Sequence, residues 1–191
     1  MFWEGGWIHS MNVPNRLTIL RVIMIPLFVV AMLWESLPYS DYLAGFLFIA
    51  ACITDFLDGY LARKYNQITT FGKFMDPLAD KLLVCAAMIC FLADSNSLMP
   101  AWVVIVIISR EFIISGFRLV AAEKGVTIAA SYWGKVKTFV QMAMSIVLVF
   151  HFMHPVFRII EGILIYASVI LTVISLIDYI YKNRAVMKDV R

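Results

Sequence analysis

The sequence predicts an all-α integral membrane protein with six transmembrane helices. Of its 191 residues, 62% are apolar and 15% are charged, whereas soluble domains average about 45–50% apolar and about 25% charged residues. A soluble surface would expose this excess as large apolar patches. Six apolar stretches approach or reach the length of about 20 residues that crosses a bilayer. They are Leu17–Trp34, Asp41–Ala62, Leu78–Ala93, Trp102–Ala121, Trp133–Met153 and Phe157–Tyr181.

The connections between the stretches are short, which leaves no room for a soluble catalytic domain. We therefore expect a single membrane domain over residues 11–191, preceded at 1–10 by an N-terminal extension or a remnant of cloning. The sequence shows no twofold repeat of the kind that many transporters contain. Any function must accordingly be built from the helices and their ends.

The basic residues predict the orientation of the chain, because lysine and arginine favour cytoplasmic loops. Fourteen of the sixteen lie in, or within five residues of, the two chain ends, the connection between stretches two and three, or the connection between stretches four and five. Beside the remaining connections there is only Arg158, and Arg110 lies deep inside the fourth stretch. Both chain ends are thus predicted on the cytoplasmic side of the cell membrane. The positive charge is expected to contact anionic lipid headgroups, not nucleic acid.

Four aspartates cluster where the second stretch ends and the third begins. Asp55 and Asp58 are spaced i,i+3, and Asp76 and Asp80 are spaced i,i+4, so each pair shares one face of its helix. One aspartate at the centre of a membrane helix costs about 2.5–3.5 kcal/mol, and less near the interface. Four together need a cation. Hard oxygen ligands suit Mg²⁺ or Mn²⁺, and two such ions form a clamp for phosphoryl displacement.

The residues between the aspartates suit a bulky phosphate ligand. Gly59 and Ala62 share the face of the first pair and leave a shallow trough for close approach to the helix. Arg63 can bind a phosphate through two N–H groups. Further hydroxyl and backbone donors follow at Asn66, Thr69, Thr70 and Gly72. The alternative is that the aspartates form ordinary ion pairs at a wet membrane edge with Arg63, Lys64, Lys73 and Lys81.

This pattern resembles the signature of the CDP-alcohol phosphatidyltransferase family. In this chain it reads Asp55-Phe-Leu-Asp58-Gly59-Tyr-Leu-Ala62-Arg63, followed by Gly72, Asp76 and Asp80. The resemblance extends from Met11 to about Met142 and is greatest to family members that use a glycerol phosphate acceptor. The stretches that carry it are Asn12–Arg21, Phe74–Lys81, Ser109–Arg118, Ala121–Gly125 and Ser131–Thr138.

The resemblance implies transfer of the phosphatidyl group of CDP-diacylglycerol to sn-glycerol 3-phosphate, with release of CMP. It implies a six-helix membrane fold with the site at the cytoplasmic face, two divalent cations and a homodimer. Asp55, Asp58 and Asp76 would hold the metals, while Asp80 would act as general base and also touch a metal. The implied CDP-binding residues are Asn15, Thr18, Arg21, Gly59, Ala62, Arg63, Thr69 and Gly72.

An anionic acceptor needs cations of its own, and four basic residues are candidates. Arg110 lies about 12 Å from the outer end of the fourth stretch, at ~1.5 Å per residue. An intramembrane arginine needs a partner, which is either the neighbouring Glu111 or the acceptor phosphate. Arg118, Lys135 and Lys137 lie nearer the cytoplasm and are further phosphate-binding candidates, with headgroup contact as their alternative.

Two other functions remain open on the sequence. The same signature serves other acceptors, namely inositol phosphate, serine or a phosphatidyl lipid. A cation or proton transporter could also use clustered carboxylates, although such sites usually lie near the bilayer midplane. At the outer end of the fifth stretch, His151 and His154 are expected to be interfacial residues and not metal ligands.

Overall fold

The described part of the chain is built from six α-helices. The computed structural model describes residues 13–34, 36, 38–65, 70–123, 125–126, 128–129, 131–152 and 154–184, with the backbone alone at 13–14, 62–63 and 70–74. The helices are α1 Val13–Leu33, α2 Ser40–Lys64, α3 Thr70–Ala93, α4 Ala101–Glu123, α5 Tyr132–Val149 and α6 Pro155–Lys182. Each coincides with one predicted stretch, and within these residues there is no β-strand. The all-α prediction is confirmed.

By length and composition, three of these helices qualify as membrane spans: α1 from Asn15 to Leu33, α2 from Ser40 to Leu61, and α6 along its whole length. The other three carry more polar residues over a comparable length. These residues include Asp76 and Asp80 in α3, Arg110 and Glu111 in α4, and Lys135, Lys137 and Gln141 in α5. Crossing of the membrane by all six helices, and the positions of the chain ends, remain predictions.

Three helix ends differ by four residues or more from the apolar stretches that predicted them. Helix α1 begins at Val13, before the stretch that starts at Leu17. Helix α3 begins at Thr70, before the stretch that starts at Leu78, so Asp76 lies within the helix. Helix α5 ends at Val149, earlier than the predicted Met153, which lies outside the described residues. His151 has a φ of 43°, a left-handed backbone conformation that a helix cannot continue through.

The chain divides into two compact units, residues 1–90 and 91–191. In the first unit, α1 packs on α2 around the rings of Phe28 and Phe48, whose centroids are 5.7 Å apart. The buried face of α1 is polar near its start and apolar beyond Arg21. The buried face of α2 changes in the opposite sense, from Ala44 to Asp58. Two antiparallel helices therefore bring their polar ends together.

The second unit packs α6 against α4 and α5. Side chains cap the starts of two of its helices. Ser131 caps α5 by accepting a hydrogen bond from the backbone N–H of Gly134 (3.1 Å). His154 caps α6 ahead of Pro155, and proline is favoured in the first helical turn. The buried face of α6 carries a series of polar residues at helical spacing. They are Glu161, Ser168, Thr172, Ser175 and Tyr179.

Large apolar side chains cover the outside of both units. Examples are Leu27, Phe46, Ile105, Phe139 and Ile163, each more than half exposed. Hydrocarbon is the environment in which such a surface is stable, since in water it would associate. The polar residues that the fold buries are the ones that need explanation.

Candidate active site

Arg21 connects α1 to two of the signature aspartates of α2. Its Nη1 lies 2.7 Å from Oδ1 of Asp55, and its Nη2 forms an ion pair with Oδ2 of Asp58. Arg21 is fully buried and Asp58 nearly so, whereas the Asp55 side chain is about half exposed. A buried arginine requires such partners. The family resemblance implies CDP binding for Arg21 and does not predict this contact, although a charge inside an apolar stretch signals a partner.

Thr18 extends the same face of α1 to a third aspartate. It lies one turn before Arg21, and its hydroxyl donates a hydrogen bond to Oδ1 of Asp76 on α3 (2.6 Å). One face of α1 thus gathers three carboxylates from two other helices.

The charge and chemistry of this group suit a divalent cation. Asp55, Asp58 and Asp76 offer carboxylate oxygens, the ligands that Mg²⁺ and Mn²⁺ prefer. Arg21 supplies one positive charge against three negative ones, so a cation would stabilise the group. The side chains are held by Arg21 and Thr18, and no three acidic, histidine or cysteine residues in the described part form a ready metal site. Metal binding remains a prediction.

Asp80 lies one turn after Asp76 on α3, and its side chain is exposed. The neighbouring Lys81, named above as an alternative partner for the aspartates, donates from Nζ to the backbone carbonyl of Pro77 (3.1 Å). The proposed base therefore lies on an accessible part of α3. Its role is a prediction from the family signature.

The structure describes the remaining predicted CDP-binding residues to different extents. Asn15 is buried one turn before Thr18, and Gly59 is half-buried beside Asp58. Thr69 lies outside the described residues. For three further positions the structure describes a helical backbone without the side-chain surroundings: Ala62, Arg63 and Gly72.

A second polar cluster lies inside the second unit, around Arg110. Nε and Nη2 of Arg110 donate to Oγ of Ser175 on α6, at 3.1 and 2.6 Å. Nη1 donates to Oε1 of Glu111 at 3.1 Å. The same Glu111 oxygen pairs with Nζ of Lys137 on α5. Arg110 and Lys137 are both buried, so the fold brings together two of the four predicted acceptor-binding cations.

The other two acceptor-binding candidates lie apart from this ion-pair network. The Arg118 guanidinium carbon is 5.8 Å from the centroid of the Tyr179 ring, which is within cation–π range. Lys135 is exposed in the first turn of α5. Neither Lys137 as a partner of Glu111 nor Ser175 was predicted. The sequence signal available for the Ser175 contact is the polar face of α6, which carries serine at helical spacing.

Both histidines at the end of α5 have structural partners. His151 pairs through Nε2 with Oδ2 of Asp94. His154 accepts the α6 capping hydrogen bond at 3.3 Å. These contacts connect the end of α5 to the segment after α3 and cap the start of α6. The interfacial position expected for both histidines stays a prediction.

Comparison with known proteins places this site in a family context. The family model for CDP-alcohol phosphatidyltransferase matches residues 11–174. The chain is 42% identical to a CDP-diacylglycerol–glycerol-3-phosphate 3-phosphatidyltransferase of Bacillus subtilis (strain 168), over 93% of this chain and 97% of that protein. An enzyme of the same name from Haemophilus influenzae is 41% identical, over 93% and 96% of the two chains. A probable phosphatidylglycerophosphate synthase of Mycobacterium tuberculosis is 39% identical, over 92% and 83%.

Proposed function

The chain belongs to the CDP-alcohol phosphatidyltransferase family, and from that premise we propose that it is a CDP-diacylglycerol–glycerol-3-phosphate 3-phosphatidyltransferase. The acceptor is sn-glycerol 3-phosphate, and the products are phosphatidylglycerophosphate and CMP. The names of its relatives support this acceptor. The contact of Thr18 and Arg21 with three signature aspartates supports the reaction class.

In the proposed reaction, one phosphorus–oxygen bond forms and another breaks. A hydroxyl oxygen of glycerol 3-phosphate attacks the phosphorus that carries diacylglycerol, and the bond from that phosphorus to CMP breaks. Asp80 takes the hydroxyl proton, which requires its carboxylate to lie within hydrogen-bond reach of the hydroxyl. CMP leaves with the electron pair of the broken bond. The protein's contribution is mainly positioning and electrostatic stabilisation.

The first unit is proposed to bind the nucleotide end of the donor. Asp55, Asp58, Asp76 and Asp80 would hold two divalent cations, Mg²⁺ or Mn²⁺, which when bound neutralise charge on the pyrophosphate. Arg21 and Thr18 keep three of these carboxylates on one face of α1. The proposed CDP contacts are Asn15, Thr18, Arg21, Gly59, Ala62, Arg63, Thr69 and Gly72.

The second unit is proposed to bind the phosphate of the acceptor. Buried Arg110 and Lys137 supply the charge there, and the exposed Arg118 and Lys135 attract the anion from the cytoplasm. Arginine binds phosphate through paired N–H groups, whereas lysine acts as a compact point charge. Serine has no phosphate group and would not use these cations.

We further propose that all six helices cross the cytoplasmic membrane with both chain ends in the cytoplasm, and that the protein forms a homodimer. The distribution of basic residues supports the orientation. The three helices that qualify as spans support the membrane location.

Replacement of the signature aspartates tests the proposal. CMP release from CDP-diacylglycerol should depend on glycerol 3-phosphate and on Mg²⁺ or Mn²⁺. The rate should fall at least about 100-fold in Asp58→Asn and in Asp80→Asn, because each change removes a charge-stabilising or proton-transfer group. Asp41→Asn, the same change in the first turn of α2, is the matched control and should retain activity. Equal activity in all three variants would contradict the proposed site.

A further inference from the structure

Glu111 shares one carboxylate oxygen between two buried cations. Its Oε1 accepts a hydrogen bond from Nη1 of Arg110, the preceding residue of α4, and pairs with Nζ of Lys137 on α5. The Glu111 side chain is itself mostly buried. A single atom thus fixes the ends of two long, flexible side chains from different helices.

A third helix holds the other edge of the arginine. Oγ of Ser175 on α6 accepts hydrogen bonds from both Nε and Nη2 of Arg110. The guanidinium is therefore oriented by Ser175 on one edge and by Glu111 at Nη1. These contacts define its orientation more closely than charge pairing alone would, because a guanidinium is planar and its donors have fixed directions.

The arrangement leaves hydrogen-bonding capacity on Arg110. A guanidinium has five N–H groups, and Ser175 and Glu111 accept three of them. Two N–H groups thus lack an acceptor within the described residues. The trio of Arg110, Lys137 and Glu111 also carries one net positive charge, which favours an anion.

Helix α5 leaves space beside Arg110 and carries a further buried donor. A methyl group at Gly134 would lie 3.5 Å from Nη2 of Arg110, in ordinary van der Waals contact. The glycine therefore leaves a space about the size of a methyl group beside the guanidinium. One turn beyond Lys137 on α5, the buried Gln141 has an Nε2 without an acceptor in the part of the chain described. An oxyanion beside Arg110 would provide the acceptors that its guanidinium lacks.

We propose that Glu111 is a positioning residue for acceptor binding: it holds Arg110 and Lys137 side by side so that both cations bind the phosphate group of the acceptor. This inference rests on the proposed function, since it takes glycerol 3-phosphate as the acceptor. Without the carboxylate, the two positive charges repel each other and their ends separate. The acceptor phosphate then meets cations that are no longer oriented.

Steady-state kinetics of Glu111→Gln test the proposal, because glutamine keeps the size and removes the charge. The KM for glycerol 3-phosphate should rise about tenfold or more, the loss expected for one charge-assisted hydrogen bond. The KM for CDP-diacylglycerol should stay within about twofold. Glu111→Asp, which keeps the charge, should recover part of the loss. Glu123→Gln, the same change at an exposed position of α4, is the matched control and should equal the wild type.

A merely structural role would give a different pattern. In that case both KM values and kcat would change together with the unfolding temperature, and aspartate would not restore the acceptor KM. An unchanged or lower acceptor KM would also overturn the proposal. The double variant Glu111→Gln/Lys137→Met distinguishes the proposed role from a general folding defect. If Glu111 acts through Lys137, the double variant should raise the acceptor KM by clearly less than the product of the increases seen in the two single variants.

Calorimetric binding of glycerol 3-phosphate separates this inference from the proposed function. Wild-type protein that binds the acceptor but releases no CMP would contradict the function while retaining the phosphate site, and weaker binding by Glu111→Gln would still support the inference. Wild-type turnover with an unchanged acceptor KM in Glu111→Gln would contradict the inference and leave the function standing.

Discussion

Arg21 is a charged residue at a fully buried position of an apolar helix. Its pairing with Asp55 and Asp58 stabilises it, because a buried charge without a partner is strongly unfavourable. The proposed cations would bind the same two carboxylates. Arg21 is therefore expected to keep the carboxylates on α1 before metal binds and to share them afterwards.

Thermal unfolding in detergent tests this role of Arg21. We expect Arg21→Met to destabilise the metal-free protein by about 3 kcal/mol, as when one partner of a buried pair is removed. Mg²⁺ or Mn²⁺ should raise the unfolding temperature of the wild type, since ligands that bind the folded state stabilise it, and should raise that of Arg21→Met by more. Arg16→Met, at an exposed position of the same helix, is the control. A metal effect that persists unchanged in Asp58→Asn would contradict a shared site.

The pairing of polar residues between helices could not be predicted from the sequence. Periodicity places Asp55 and Asp58 on one helical face, and burial cost requires that they have a cationic partner. Neither periodicity nor burial cost says which helix supplies the partner. Arg21 is 37 residues from Asp58 in the chain, and Ser175 is 65 residues from Arg110. Only the packing of the helices selects these contacts.

At the scale of elements, hydropathy located all six helices but not all of their ends. An apolar stretch ends where the surroundings become polar, whereas a helix continues as long as its backbone remains hydrogen-bonded. Thr70–Pro77 is therefore helical although it lies outside the predicted stretch. His151, with its left-handed backbone and its Asp94 contact, ends α5 early. Neither feature is visible in hydropathy.

The connections between helices allow a test of the predicted crossings. In a variant with Cys52, Cys85 and Cys90 replaced by serine, Ser95→Cys lies between α3 and α4, and Val126→Cys lies between α4 and α5. Both positions are exposed. In intact cells, a membrane-impermeant maleimide should label Ser95→Cys, while Val126→Cys should react after the cells are opened. Labelling of both positions in intact cells would contradict the orientation that the basic residues predict.

In the molecule as a whole, each unit combines a lipid-compatible exterior with a polar cluster among its helices. The first unit carries an excess of acidic groups around Arg21, and the second carries an excess of positive charge around Glu111. The first suits cations that bind a pyrophosphate, and the second suits a free phosphate group. A phosphatidyl transfer with a phosphorylated acceptor requires both kinds of site.

Competition between acceptors tests whether the two kinds of site serve one reaction. Purified protein would receive CDP-diacylglycerol, Mg²⁺ or Mn²⁺, and equal amounts of glycerol 3-phosphate, inositol phosphate and serine, with the lipid products identified by mass spectrometry. We expect phosphatidylglycerophosphate as the product, formed in equal amount to CMP and absent with Asp80→Asn. A product made from inositol phosphate or serine would contradict the assigned acceptor, and the absence of CMP release with every acceptor would contradict the enzyme itself.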